Sequence, residues 1–438
     1  MLELLSSGFL SLWLEKAGLP AREFNAFSLL AGPGIPGWTL PVEPQPATIG
    51  SLEKYLQTLT AKGLSKNAQG VWLQTNTTVL ANNQGTTPLS AASLTKIATS
   101  IAALEKWGPT HQFTTVFSAT GPIEDGVLKG DLIVTGGGDP FFIWEEAFAV
   151  GNALNKLGIK QVTGNLIING NFSVNFEQDP LQSGQQFIEA LNPEIWQEDA
   201  SFVYSSLPPG TPKPKLEING TVKLGQTKGK PLLRHYSLPL SEIIRQMNIH
   251  SNNEIAQMLA DGVGGANVVK DLAVKAAGVP PEEILLINGS GLGQENRISP
   301  RAACAMYIAL QRYLYQQPDK NYTIADIFPV AGKDEGTVED RKMPKASVVK
   351  TGTLSNVSAL AGMLPTKDYG VVYFAIINNR GEDIDGLRAK QDSFLQTLQK
   401  QFGGNPTLPL TAIAPGFSHS DADIKIGDVA RNEIVTGG

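Results

Sequence analysis

Apolar residues recur at helical spacing over residues 51–64, where Leu52, Tyr55, Leu56 and Leu59 share a face and Gly63 supplies a stop signal. Two short runs, 71–75 and 78–82, flank Asn76-Thr77 and predict a β-hairpin. Residues 90–107 are small and apolar nearly all round, which predicts a helix buried on most sides. From about 110 to 240 the pattern shifts to short β-like runs (113–117, 131–135, 164–168) broken by Gly and Pro clusters, the texture of a separate strand-rich domain. Helical character returns over 240–260 and continues as short helices to about 317. The runs 347–354, 358–364 and 370–378 then read as three consecutive antiparallel strands, the last two joined by a tight turn at 366–369. A closing helix over 385–402 sets Leu387, Phe394, Leu395, Leu398 and Phe402 on one face, suited to covering that sheet. The pattern predicts an α+β protein: an arm at 1–47, a main domain split between 48–109 and 241–403, an inserted β-rich domain at 110–240, and a tail at 404–438.

Composition narrows the function classes. Over 438 residues, hydrophobics at 42% and charged residues at 17% match a globular chain rather than a disordered or membrane-embedded one. A net charge of -6 without a basic stripe offers little of the counterion release that drives nucleic-acid binding, so no nucleic-acid partner is expected. One cysteine, Cys304, cannot form an internal disulfide, and four histidines make a protein-built metal site improbable; no metal or other cofactor is expected. Residues 1–14 carry an apolar cluster but place Glu3 where an export signal has basic residues. The expectation is an amphipathic helix packed on the body or making peripheral membrane contact, with a degenerate export signal as the alternative. The tail is rich in Pro, Gly and polar residues and reads as a linker or loosely attached extension.

The candidate chemistry is nucleophilic. A serine followed three residues later by a lysine on a helix places both side chains on one face, within reach for proton transfer. That spacing occurs at Ser51/Lys54, Ser93/Lys96 and Ser347/Lys350. The first sits on a solvated helix face with Glu53 and Gln57, and the third lies in a strand, where such a pair points to opposite faces. Only Ser93/Lys96 combines helix with apolar surroundings (Leu94, Ile97, Ala98), and there desolvation disfavours the charged lysine and turns it toward a base. Ser-x-Asn also occurs three times. Ser65/Asn67 and Ser173/Asn175 have weaker context, whereas Ser251/Asn253 begins a helix within the helical block and could equally be a cap. Lys-Thr-Gly occurs once, as Lys350-Thr351-Gly352 followed by Thr353 on an apolar strand, where an edge-guarding lysine is the plain alternative.

The ordered trio resembles the penicillin-interacting serine D-Ala-D-Ala peptidases. The long gap between Ser93 and Ser251, together with Thr135-Gly136-Gly137-Gly138-Asp139-Pro140 and Asn288-Gly289-Ser290-Gly291-Leu292, is similar to the class C penicillin-binding proteins of peptidase family S13 over about residues 50 to 400. The resemblance implies a β-lactamase/DD-peptidase-like fold and a serine-type D-Ala-D-Ala carboxypeptidase, with endopeptidase activity in the same family, working on peptidoglycan stem peptides in the periplasm or cell envelope. β-Lactam antibiotics would act as covalent inhibitors. It also implies Ser93 as nucleophile, Lys96 as base and Ser251 as proton relay. Asn253 would hold the substrate amide, and Lys350 and Thr351 the terminal carboxylate. The backbone N–H groups of Ser93 and Thr353 would form the oxyanion hole, and Gly352 would permit close substrate approach. Asn288 departs from the aspartate usual in the family, and a further nested domain is expected to be reduced or absent. A β-lactamase or esterase-like hydrolase, or a non-catalytic peptidoglycan-binding protein of the same fold, remain as alternatives. Glu282-Glu283 reads as surface charge at a helix start.

Overall fold

A computed structural model describes residues 46–317, 322–404 and 425–435. The segment at 1–14, with its expected membrane contact, and most of the tail lie outside the described residues. Helix α1 (Pro46–Thr60) buries Leu52, Tyr55, Leu56 and Leu59, the face read from the sequence. Strands β1 (Gln69–Gln74) and β2 (Val79–Asn83) form the expected hairpin, closed by the Thr75 N–H donating to the Thr78 carbonyl at 2.9 Å. A single 3-10 turn, Ala92–Leu94, leads into α2 (Thr95–Trp107), buried at every position from 95 to 104 as its composition demands.

The inserted stretch contains β3 (Thr114–Ala119), β4 (Leu132–Gly137), α3 (Trp144–Lys156), β5 (Leu166–Asn171), α4 (Pro180–Leu191), α5 (Glu198–Ser206), β6 (Val222–Leu224) and β7 (Lys230–Tyr236). Its three helices are a departure from a purely strand-rich expectation. Helix α3 lacks a capping side chain at its start, and its local start signal is limited to Glu145 and Glu146 in the first turn. Helix α4 had one: Asp179 caps the N–H groups of Leu181 and Gln182, and Pro180 follows it. The helices cover a mixed sheet whose strands lie in the order β6-β5-β4-β3-β7, and residues from Phe117 to Leu233 share one apolar core.

The chain returns through α6 (Leu240–Ile249), α7 (Asn253–Val263), α8 (Ala266–Ala277) and α9 (Pro300–Tyr315), then β8 (Val348–Leu354), β9 (Val357–Thr366), β10 (Gly370–Asn379) and α10 (Ile384–Gln401). The 240–260 helical run comprises two helices, the second starting at the Ser251–Asn253 motif as read from the sequence. Ser251 takes a left-handed backbone (φ 54°) and Asn252 caps α7 by accepting the Ile255 N–H, so the chain turns sharply where the Ser-x-Asn motif sits.

Five antiparallel strands in the order β8-β9-β10-β1-β2 form the central sheet. Its two faces alternate residue by residue. Ala359, Ala361, Met363, Tyr373, Ala375 and Ile377 face the core built on α2, α7 and α9, while Leu360, Leu364, Val372, Phe374 and Ile376 face α1 and α10. With both faces covered, β9 is buried along its whole length. The α1/α10 layer is tied down by a buried amide network. The Tyr55 hydroxyl and Gln391 Nε2 both donate to Asn378 Oδ1 (2.9 and 2.8 Å), and Asn378 Nδ2 donates to Gln69 Oε1 at 2.8 Å.

The tail does more than a loose linker would. Strand β11 (Asn432–Ile434) pairs antiparallel with β7 at the end of the inserted sheet, and Arg431 Nη2 reaches the buried Glu146 at 2.6 Å. That partner lies on a helix hundreds of residues upstream, beyond any local pattern. Phe394 of α10 stacks on Tyr55 of α1 with ring centroids 4.6 Å apart. Phe394→Ala should therefore cost about 3–5 kcal/mol through transfer and cavity terms, read as a lowered urea midpoint; a change below about 1 kcal/mol would contradict this packing.

Candidate active site

Strand β8, the 3-10 turn before α2, and the α6–α7 junction converge on one cleft. The turn holds Ser93 half-buried at the mouth while Lys96, one helical turn on, is wholly buried. The residue before the serine, Ala92, adopts φ 47°, a conformation that non-glycine residues take at a cost of order 1 kcal/mol or more; it presents Ser93 at the sharp start of the helix. Lys96 Nζ lies 3.0 Å from Ser93 Oγ, 2.7 Å from Asn253 Oδ1 and 2.7 Å from the Ser290 carbonyl. Burial pulls the Lys96 ammonium down to about 7, opposed in part by the charge of Glu254. In its neutral form the amine has two N–H donors, which the two carbonyl oxygens satisfy, leaving its lone pair for the Ser93 hydroxyl.

Lys350 enters from β8 and is also wholly buried. Its Nζ donates to Ser251 Oγ and to the Thr351 carbonyl, each at 2.9 Å. Burial, and then the neighbouring Lys96 charge, hold it well below the ordinary lysine range. Gly352 follows with no side chain because none would fit. A Cβ there would sit 3.1 Å from the Ser93 nitrogen and 2.9 Å from the Ala91 carbonyl oxygen. Thr351 is buried, and Thr353 is exposed at the open end of the strand.

Every residue that the motifs singled out therefore meets in one place: Ser93, Lys96, Ser251, Asn253, Lys350, Thr351, Gly352 and Thr353. The competing copies fall elsewhere. Ser51 Oγ accepts from Gln401 on the far layer, and Ser65 caps a one-turn helix by accepting the Asn67 N–H. Ser173 Oγ donates to the Glu177 carbonyl at 2.6 Å in a turn, and Asn175 donates to Gln186. His250 is exposed beside Ser251.

One local reading needs adjusting. Glu283 is not surface charge: it is buried at 3% exposure, accepting from Ser299 and paired with Arg301. Asn288 is used as an amide. Its Oδ1 accepts the Gly291 N–H at 2.8 Å while its Nδ2 donates to the Leu292 carbonyl at 2.6 Å, a pairing an ionised aspartate could not complete. The Ser290 carbonyl that this loop presents to Lys96 escaped the motif reading, because backbone acceptors leave no residue-type signal. Among the described residues no group of three or more His, Cys, Asp or Glu side chains is placed to hold a metal ion.

Similarity to known proteins bears on the family and the fold. The profile of the D-Ala-D-Ala carboxypeptidase 3 (S13) family matches residues 50–180 and 213–401, well over half of the chain. The D-alanyl-D-alanine carboxypeptidase DacB of Haemophilus influenzae is 23% identical over 387 residues, which cover 65% of this chain and 79% of that protein. A D-alanyl-D-alanine carboxypeptidase of Actinomadura sp. is 30% identical over 209 residues, 42% of this chain and 38% of that one. Among solved structures, the Bd0816 predatory endopeptidase of Bdellovibrio bacteriovorus in complex with immunity protein Bd3460 aligns with a TM-score of 0.65. That alignment covers 78% of this chain and 95% of that one at 22% identity. Penicillin binding protein 4 (dacB) of Haemophilus influenzae aligns at a TM-score of 0.60 and 21% identity over 80% and 99% of the two chains. The Bd3459 endopeptidase of Bdellovibrio, solved as its penicillin G acylated form, shares the fold at a TM-score of 0.64 and 22% identity, over 78% of this chain and 96% of that one. The chain is a member of the D-Ala-D-Ala carboxypeptidase 3 (S13) family, a serine peptidase with the family's α+β fold.

Proposed function

We propose that this enzyme releases the terminal D-Ala of peptidoglycan stem peptides in the cell envelope through an acyl-enzyme on Ser93, and that β-lactams acylate the same hydroxyl. The observation that carries this reading is the Lys96 amine, buried, 3.0 Å from Ser93 Oγ, with its other two contacts on carbonyl oxygens. Neutral Lys96 takes the Ser93 proton as Oγ bonds to the carbonyl carbon of the penultimate D-Ala. The oxyanion lies between the N–H groups of Ser93 and Thr353, brought together because Gly352 lets β8 run against the nucleophile turn.

As the C–N bond breaks, the proton passes to the leaving amine through Ser251, whose oxygen is oriented by Lys350. Asn253, fixed at the first turn of α7 and bonded to Lys96, faces the amide of the acyl part. On the terminal-carboxylate side of the cleft, Lys350 and Thr351 are buried within β8 and the Thr353 hydroxyl is the group exposed at its open end. Water then attacks the ester carbonyl and returns the proton to Ser93.

Three outcomes test this assignment. Ser93→Ala should abolish both labelling by fluorescent penicillin and D-Ala release from a pentapeptide with an unchanged thermal midpoint; retained labelling would sink the proposal. Because Lys96 accepts a proton only once deprotonated, the acylation rate constant should climb about tenfold per pH unit below about 7 and level off above it. A rate flat from pH 5 to 9 would remove Lys96 from the role. Gly352→Val, whose Cβ would press on the Ser93 nitrogen, should slow acylation by roughly 100-fold, the scale of one lost oxyanion donor, in a folded protein.

A further inference from the structure

The cationic group nearest in sequence to the carboxylate side of the cleft, Lys350, is poorly placed to read a substrate anion by itself. It is wholly buried, and its amine is engaged by Ser251 Oγ and the Thr351 carbonyl. Its side chain also leaves β8 on the face of the sheet that carries Ala361, its register partner, toward α2. Thr351 and Thr353 point to the opposite face, paired in register with Leu360 and Ser358, toward α10.

That face carries a second cation. Arg388, in the first turns of α10, donates from Nη2 to Thr353 Oγ1 at 3.0 Å and from Nη1 to Asp385 Oδ1 at 3.1 Å. Its side chain is 38% exposed and that of Asp385 is 92% exposed, so this is a solvated pair of little energetic weight that a substrate carboxylate can outcompete. Thr353 Oγ1 accepts from the guanidinium, which leaves its own O–H proton to be donated outward, and a hydroxyl that accepts from a cation is a stronger donor. Arg388 is distant in sequence from the Lys-Thr-Gly motif, on a helix whose apolar face otherwise serves only to cover the sheet.

We infer that Arg388 is the positioning residue through which this site selects substrates with a free C-terminal carboxylate: its guanidinium polarises and orients the Thr353 hydroxyl and supplies the solvent-facing positive charge that Lys350 cannot. The inference rests on the hydrolytic reading above and names which anion-recognising group that site uses. A carboxylate arriving at Thr353 meets a neutral donor backed by a cation, whereas a C-terminal amide gains nothing from that charge. Arg388 would therefore act on affinity for the acid and leave the chemical step alone.

The test compares one acyl peptide ending in D-Ala-D-Ala as the free acid and as the C-terminal amide, with release of D-Ala or D-Ala amide measured for the full-length wild type, Arg388→Gln and Arg388→Lys. In Arg388→Gln, KM for the acid should rise roughly 10- to 100-fold, the range of a charge-assisted hydrogen bond, with kcat changed less than about twofold. Turnover of the amide should stay within about twofold, so that the acid preference shrinks, and Arg388→Lys should recover part of it because the charge remains while the fork geometry is lost. Thermal midpoints of both variants should match the wild type. An unchanged acid-to-amide ratio, or an equal fall for both substrates, overturns the assignment of Arg388 while leaving the hydrolytic reading intact. A wild type that releases D-Ala from neither peptide overturns both.

Discussion

Holding the Lys96 amine out of water, against the hydroxyl of Ser93, is the constraint on which the surrounding architecture depends. A buried ammonium is costly, and the protein meets that cost by letting the group approach neutrality and by giving its N–H donors two carbonyl oxygens. Those acceptors come from separate parts of the chain: Asn253 at the start of α7 and the Ser290 backbone in the loop shaped by Asn288. The small residues of α2 serve the same end, because Ala98, Ala102 and Ala103 let neighbouring elements close over the helix.

A second buried amine, Lys350, is held below the ordinary lysine range by burial and then by the charge of Lys96. Ser251 stands beside Lys350, in a strained turn that a continuous helix would have denied it. The left-handed backbone at Ala92 and at Ser251 thus marks the two places where the chain departs from regular structure in order to aim a hydroxyl.

The inserted module and the tail contribute from outside the sheet. A second cleft, of about 490 Å³, lies between the module and the main body, lined by Phe141, Trp144 and Phe176 from the module and by His250 and Asn252 from the α6–α7 junction. The tail's Arg431 and the Gly427 N–H meet the buried Glu146 near the start of α3, the helix that begins with Trp144. The tail is thereby tied to the helix whose first residue lines that cleft.

The sequence by itself determined three strands of the central sheet, the hairpin that joins them from far upstream, and the covering helix α10, because periodicity and turn residues are local signals. Ser93, Lys96, Ser251, Asn253 and Lys350 could be singled out without coordinates because helix or strand context and the order of the motifs chose among copies with the same spacing. Only the tertiary structure decided which face of β8 each side chain takes, that Lys350 points into the protein while Arg388 stands behind Thr353, and that the tail pairs with β7. It also decided that Glu283 is buried. Each of these depends on contacts between residues far apart in the chain, where burial and hydrogen-bond partners, rather than neighbouring residue types, set the outcome.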